Sequence, residues 1–582
     1  MGEGKLTGYP SVDKPWLKYY SEEAINAPLP RCTAYELIRC GNDGHLNDIA
    51  LIYFDRKITY RQLFAGIESA AKAFAALGIA QGDIVILCMV NMPETVYALY
   101  ALDRLGAVAN LIDPRTNTEQ LRNYITECDA KIILTVDITY NAIEKAAKDT
   151  TVEKIVVVSP AESLPLAKRI AYRLKNKAPS FSKDVTCWGD FIAVGTCTVP
   201  DYAPYEQNRC FIIAHTGGTT GVPKGVMLSD DNLNAVTHGY RYLNIPFNRQ
   251  DRYFNDLPPF IIYGLAIAIH TTLCYGLQVI LYPKFEPKEF PRLFKRYRPN
   301  HFSDGADHLI YLMREIEEHQ LDVSHLITAG FGGDILDPKV ECSINTCLKE
   351  HGCQYEIVKG YGMTETCATT TTTTTTTITF QGANAAGSVG IPLVSNTVKI
   401  VEMDTGSEQG YDRVGEIWIS SPSVMLGYYK NPEETKKSIV IDEIGNRWIR
   451  TGDLGRMNKD GSLFHEGRIR RIYVTTFEGQ PAKIFPSLIE EIVESIPDIY
   501  SCIVVGRHMK DSTYYEPVGY IVLNENHRPV QELVKELRLV CSEQLPTYMR
   551  PVEYRFMQNI PHTPIGKVDF RALERMAVEE EE

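Results

Sequence analysis

The sequence predicts an α/β protein in two unequal parts. The larger is an N-terminal domain of doubly wound sheets with a small β-barrel-like portion, and the smaller a C-terminal α+β domain. Three observations predict it. At 582 residues the chain is too long for one hydrophobic core. Between about residues 50 and 300, apolar strand-like runs alternate with longer amphipathic segments. From residue 387 the runs shorten and are punctuated by Gly, Asn and Pro, and past Arg470 a compact stretch of strands and helices follows, the size of a small domain.

In chain order, DIVILCM (83–89) reads as a strand and PETVYALYALDRLGAV (93–108) as a helix. KIILTV (131–136), KIVVVS (154–159) and CFIIAH (210–215) read as further strands. GEIWISS (415–421) opens the short-strand region, where Asp460-Gly461 between two strand-like runs signals a hairpin. The last part reads IYV strand, PSLIEEIVESI helix, SCIVVGR and GYIVL strands, then the helix VQELVKELRLVCSEQL. A boundary near 466–470 gives domains 1–467 and 468–582.

Sixty basic against 73 acidic residues give a formal charge of −13, which argues against a nucleic-acid surface. No run of about 18 apolar residues appears, and the N-terminus lacks the basic-then-apolar layout of a signal peptide, so a soluble, cytoplasmic protein is expected. The 14 cysteines are dispersed and often sit in apolar runs, reading as reduced, mostly buried thiols. Cys342, Cys347 and Cys353 with His351 lack metal-site spacing. Nine consecutive threonines, 369–377, read as a strand-and-loop wall, with a substrate-facing hydroxyl surface as the alternative.

The densest chemistry lies in HTGGTTGVPKGVMLS, His215 to Ser229. A P-loop requires Gly, four residues, then Gly-Lys-Ser/Thr, whereas here Pro223 precedes Lys224 and Gly225 follows it. The spacing fails that test, yet the glycines free backbone N–H groups for phosphate oxygens, and Thr216, Thr219 and Thr220 add hydroxyls. The loop does not stand alone. Downstream follow YGMTET (361–366), GEIW (415–418), LGYY (426–429), RTGDLG (450–455), GRIRR (467–471), LPTYMRP (545–551) and PHTPIGKVDF (561–570).

In this order the motifs resemble the ANL superfamily of adenylate-forming enzymes, over about residue 50 to the end. The resemblance implies that a carboxylate attacks the α-phosphate of ATP to give acyl-AMP and pyrophosphate, after which a thiol displaces AMP. It implies that Thr216, Gly217, Gly218, Thr219, Thr220, Gly221 and Lys224 cover the β- and γ-phosphates, and that Glu365 is a magnesium ligand. It puts Tyr361 and Gly362 beside adenine, with the backbone of Gly332, Gly333 and Asp334 along the same base. It has Thr364 contact the α-phosphate, Asp453 accept from the ribose hydroxyls, and Arg468 add a ribose or phosphate contact. Lys567 would bridge carboxylate and α-phosphate, stabilising charge in the first half-reaction. The C-terminal domain would then rotate about a hinge at Arg470 to admit coenzyme A.

Four departures from the family pattern stand out. Gly217 replaces a serine hydroxyl, and His215 stands where an aromatic is common. LPPFIIYGLA (257–266) matches the acyl-pocket segment with Ile261 in place of a frequent histidine and no acidic residue for an α-ammonium, so Phe260, Ile261, Tyr263 and Gly264 favour a hydrophobic acid. The loop after the hinge, IYVTTFEGQPAKIF, is a few residues longer than usual. The threonine tract sits just beyond YGMTET. The expected activity is an ATP-, Mg2+- and coenzyme A-dependent acyl-CoA ligase; the alternative is an adenylating enzyme that loads an acyl carrier protein.

Overall fold

The computed structural model describes residues 6–175, 185–216, 223–243, 245–284, 286–333, 336, 338–373, 383, 385–509, 512, 514–524, 526–562 and 568–579. Apolar runs that alternate with helices must be buried on both faces, and two large sheets do this. One has eight strands in the spatial order Gly427–Tyr428, Gly225–Ser229, Cys210–His215, Val108–Leu111, Ile84–Cys88, Ile132–Val136, Lys154–Val158 and Val185–Cys187. From Cys210–His215 onward its neighbours are parallel, while Gly225–Ser229 folds back antiparallel on Cys210–His215. The nine-stranded second sheet has a parallel run, Val358–Met363, Thr328–Gly332, His301–Asp304, Arg252–Asn255 and Gln278–Leu281, at its centre.

A five-stranded antiparallel sheet follows, built on the long strand Arg447–Met457. The Asp460-Gly461 hairpin forms as read, joining that strand to Leu463–Arg468 with Gly461 in the left-handed region at φ 89°. Beyond it, Tyr473–Phe477 and Gln480–Ile484 form a two-stranded hairpin, so the extra residues after Arg470 are an ordered ribbon. A three-stranded sheet and the helices Pro486–Glu494, Val530–Gln544 and Phe570–Glu579 complete the chain around their own apolar clusters.

The threonine tract contributes Ala368–Thr372 to the nine-stranded sheet, with Thr369, Thr370, Thr371 and Thr372 all buried. Its hydroxyls are absorbed by backbone: Thr370 donates to Tyr361 O, Thr371 to Val389 O and Thr372 to Lys359 O. Buried hydroxyls need such partners, so here the tract is a wall rather than a chemical surface. Its remainder, Thr374 to Thr377, lies outside the described residues. All 14 cysteines are free thiols; seven are buried, but Cys40, Cys187, Cys197 and Cys342 are exposed, more than the apolar-run reading implied.

His270, fully buried in the helical stretch Gly264–Thr271, lies between Tyr100 Oη (3.2 Å from Nδ1) and Asn234 Oδ1 (3.1 Å from Nε2), which suits a neutral ring. Burial pushes its pKa down to about 3. An unfolded imidazole takes up a proton below its ordinary value of 6.5, which the folded one refuses until about 3, so this stability is lost as pH falls through that window. Between about pH 7 and about pH 5 the loss is about 2 kcal/mol. The thermal midpoint of His270→Gln is therefore expected to fall less over that interval than that of the wild type. Equal falls would remove His270 from the account of acid sensitivity.

Candidate active site

Strands of the two large sheets and of the antiparallel sheet, with the residues next to their ends, carry the predicted residues that the structure describes, Lys224, Tyr361, Glu365, Asp453 and Arg468 among them. Val358–Met363 ends in a short 3-10 turn, Thr364–Thr366, that carries Thr364 and the buried Glu365. The chain then reverses through Cys367 (φ 54°) and Ala368 (φ 80°), two successive non-glycine residues in the left-handed region. Such conformations cost on the order of 1–3 kcal/mol each and cluster at functional sites. The reversal is tight enough that a Cβ on Gly362 would lie 1.6 Å from Ala368 O.

Glu365 Oε1 accepts from Tyr428 Oη at 2.8 Å, and its backbone carbonyl accepts from Met425 N. The ring of Tyr428 in turn carries Lys224 Nζ at 4.6 Å from its centroid. Lys224 Nζ also donates to Glu434 Oε2 at 2.7 Å, and Lys224 with Lys437 holds that carboxyl down at about 2. The ends of the glycine loop are pinned together: Thr216 N donates to Lys224 O (3.0 Å), and Lys224 N to Thr216 Oγ1 (3.1 Å). Gly217, Gly218, Thr219, Thr220 and Gly221 fall outside the described residues. His215, beside the loop, meets Asn110 Oδ1 at 2.8 Å and packs on the Tyr124 ring, and burial pushes its pKa down to about 4.

On the other side of Glu365, Tyr361 Oη donates to Asp453 Oδ2 at 2.8 Å, and Arg468 Nε lies 3.0 Å from Asp453 Oδ1. Asp453 sits within Arg447–Met457 and is the cross-strand partner of Arg468. Burial would raise the Asp453 carboxyl, but hydrogen bonding from His465 and the charges of Arg468 and His465 outweigh it and hold it below its ordinary value. Thus two contact chains, Lys224–Tyr428–Glu365 and Tyr361–Asp453–Arg468, start from the same short segment 361–365. Tyr428 and Glu434 had no assigned role in the sequence reading, although Tyr428 stands in LGYY, and no spacing rule links either to Lys224 or Glu365.

Gly332 lies at the end of its strand, where an added Cβ would sit 3.2 Å from the Tyr263 ring, so the strand Thr328–Gly332 and the segment 257–266 adjoin. Gly333 follows with φ 89°, while Asp334 is outside the described residues. Phe260 and Ile261 lie in a turn closed by Ile261 N to Pro258 O, and Gly264 is forced by contact with Leu257. Polar groups pack close to this segment. Tyr253 donates to Ser303 (2.6 Å) and Tyr240 to Thr369 (3.3 Å). Behind them, His308 joins Asp256 (3.0 Å) and Asp304 (3.3 Å), so two buried carboxylates flank a segment that read as free of acids. Each ring nitrogen of His308 faces a carboxylate, but of the two contacts only Nε2–Asp256 is a hydrogen bond, and the two buried Asp304 oxygens have no hydrogen-bond partner among the described residues. Burial first, then the Asp256 charge, raises Asp304 well above its ordinary value.

Arg470 lines a groove of about 790 Å3 with Gln120, Tyr124, Lys224, Tyr429 and Glu434, beside the loop. Lys567 is outside the described residues, but its flanks are tied: His562 and Val568 form an antiparallel bridge, and Asp569 N donates to Pro561 O at 2.8 Å.

The family model described as "AMP-binding enzyme" matches residues 41–429, and "AMP-binding enzyme C-terminal domain" matches 488–567. The chain belongs to the AMP-binding enzyme family. This AMP-binding enzyme is 26% identical over 580 residues to a long-chain-fatty-acid–CoA ligase of Bacillus subtilis, covering 98% of each chain. It is 28% identical to a probable 4-coumarate–CoA ligase 1 of Dictyostelium discoideum, over 79% of this chain and 80% of that one. Its fold matches ATP-bound MatB from Rhodopseudomonas palustris with a TM-score of 0.78 at 21% identity, covering 94% and 100% of the two chains. Among the described residues of this AMP-binding enzyme, no helix is long and apolar enough to cross a membrane.

Proposed function

We propose that this AMP-binding enzyme is an ATP-dependent acid–thiol ligase that converts a hydrophobic carboxylic acid to acyl-AMP and then to its coenzyme A thioester. The observation that carries the reading is the pair of contact chains Lys224–Tyr428–Glu365 and Tyr361–Asp453–Arg468, which set cations and acceptors on both sides of the segment 361–365. Relatives named for fatty-acid, coumarate and succinylbenzoate CoA ligases support the same chemistry.

In this reading a substrate carboxylate oxygen attacks the α-phosphorus, and the bond to pyrophosphate breaks. Lys224 and the backbone donors of Thr216 to Gly221 stabilise the leaving charge. Asp453 accepts from the ribose hydroxyls, Tyr361 and Gly362 with Gly332, Gly333 and Asp334 flank adenine, and Thr364 and Lys567 meet the α-phosphate. Arg468 holds Asp453 ionised, which a ribose acceptor needs. Glu365 fits a hard cation: it is a buried carboxylate with no ion-pair partner among the described residues, and bound Mg2+ would there neutralise phosphate charge. Residues 468–582 then turn about Arg470, and the thiol of coenzyme A attacks the acyl carbon as AMP leaves. Phe260, Ile261, Tyr263 and Gly264 line the acid's side of the site.

Pyrophosphate release measured across a panel of fatty, aryl and steroid acids tests this, with coenzyme A and a holo-carrier protein compared as acceptors. Release with apolar acids and thioester formation on free coenzyme A are expected. Acid-independent ATP turnover, or acylation of the carrier protein alone, would overturn the proposal.

A further inference from the structure

The helix Leu166–Lys175, LAKRIAYRLK, reverses the usual order of an amphipathic surface helix. Its spacing stacks Leu166, Ile170 and Leu174 on one face, with Ala167 and Ala171 beside them. Such a face ordinarily packs on the core. Here all five are exposed, with Leu166 at 71%, Ile170 at 53% and Leu174 at 83%. The side turned to the protein is Lys168, Arg169 and Tyr172. Lys168 Nζ donates to Phe54 O (3.1 Å) and to Asp55 Oδ2 (2.5 Å), Arg169 donates to Glu162 O (2.5 Å), and Tyr172 packs on the main core. Polar contacts therefore dock the helix and leave a stripe of about 12 Å of apolar side chains facing water.

The surroundings of the stripe are basic in a chain whose net charge is −13. The helix carries Lys168, Arg169, Arg173 and Lys175 and no acidic residue. Asp55 is shared between Lys168 and Arg296, so one carboxylate faces two cations, and the exposed Arg56 and Lys57 open the strand that follows. An outward apolar stripe on a helix without acidic residues, near the exposed Arg56 and Lys57, matches an anionic bilayer surface, where acyl chains receive the stripe and headgroups meet those cations. A helix of ten residues is too short to span a bilayer and suits lying in its interface.

We propose that Leu166–Lys175 is an interfacial helix that docks this protein reversibly on anionic lipid membranes. The proposal is independent of the ligase reading, because binding is measured without substrates. The test is co-sedimentation of the full chain with vesicles of phosphatidylcholine alone and of phosphatidylcholine mixed with phosphatidylglycerol. Pelleting with the mixed vesicles, weakened by added salt, is expected. The variant L166Q/I170Q/L174Q should weaken it about tenfold or more, and R56E/K57E should weaken it on mixed vesicles, with ATP–pyrophosphate exchange in lipid-free solution unchanged in both. These side chains are exposed, so an unchanged thermal midpoint verifies folding. Absence of pelleting, or binding indifferent to both variants, overturns the proposal. So does a lipid-free dimer that L166Q/I170Q/L174Q dissociates without any vesicle effect, because a second copy would then be what covers the stripe.

Discussion

Replacing Lys567 with alanine is expected to lower acyl-adenylate formation by about 100- to 1,000-fold, the cost of removing one preorganised donor from a developing negative charge. Thioester formation from supplied acyl-AMP is expected to stay within a few-fold of wild type. The split follows from the division of labour proposed above. Adenylation brings a carboxylate onto an already negative phosphate, whereas thiolysis expels AMP from a neutral acyl carbon after residues 468–582 have turned. The described flanks of the Lys567 motif are tied by the His562–Val568 bridge and the Asp569 N to Pro561 O bond. Lys567→Arg should recover little, because a planar guanidinium does not replace a compact ammonium on a flexible stem. Single-turnover measurement of each half-reaction decides the matter. Equal loss in both, or loss in neither, would remove Lys567 from the adenylation step and the domain rotation with it.

What the sequence made legible was local. Runs such as IVILC and IVVVS announce buried parallel strands, and Asp460-Gly461 announces its hairpin, because each signal depends only on neighbours along the chain. The site's individual motifs were legible for the same reason. The links between them were not. Tyr428 reaches Glu365 across 63 positions and Glu434 reaches Lys224 across 210, pairings set by sheet order rather than spacing. Likewise the cross-strand pairing of Asp453 with Arg468, and the bulge beside it, are not written in the spacing of RTGDLG and GRIRR. The surroundings of the 257–266 segment were hidden for a different reason. LPPFIIYGLA is apolar as a string, while the hydroxyls and carboxylates behind it come from Tyr240, Ser303, Asp304 and His308, which fold in from other elements.

The link between Tyr428 and Glu365 separates two roles that a single substitution would confound. Glu365→Gln keeps the side chain's size and an oxygen for the Tyr428 hydroxyl but removes the charge. It is expected to slow adenylation about 100-fold or more and to abolish the Mg2+-dependent part of ATP affinity. Tyr428→Phe keeps the charge and the ring beneath Lys224 but frees the carboxylate to turn, a loss of orientation that costs about 10- to 100-fold when the partner of a metal ligand is removed. Its ATP affinity should still rise with Mg2+, only at higher ion concentration. The ordering follows from the contacts: Tyr428 occupies Oε1 of Glu365 and also seats Lys224, so it aligns a negative and a positive group on either side of one aromatic ring. If ATP affinity in Glu365→Gln retains its full response to Mg2+, Glu365 does not hold the ion. The buried carboxylate would then serve only to fix Tyr428, and through it Lys224, against the loop.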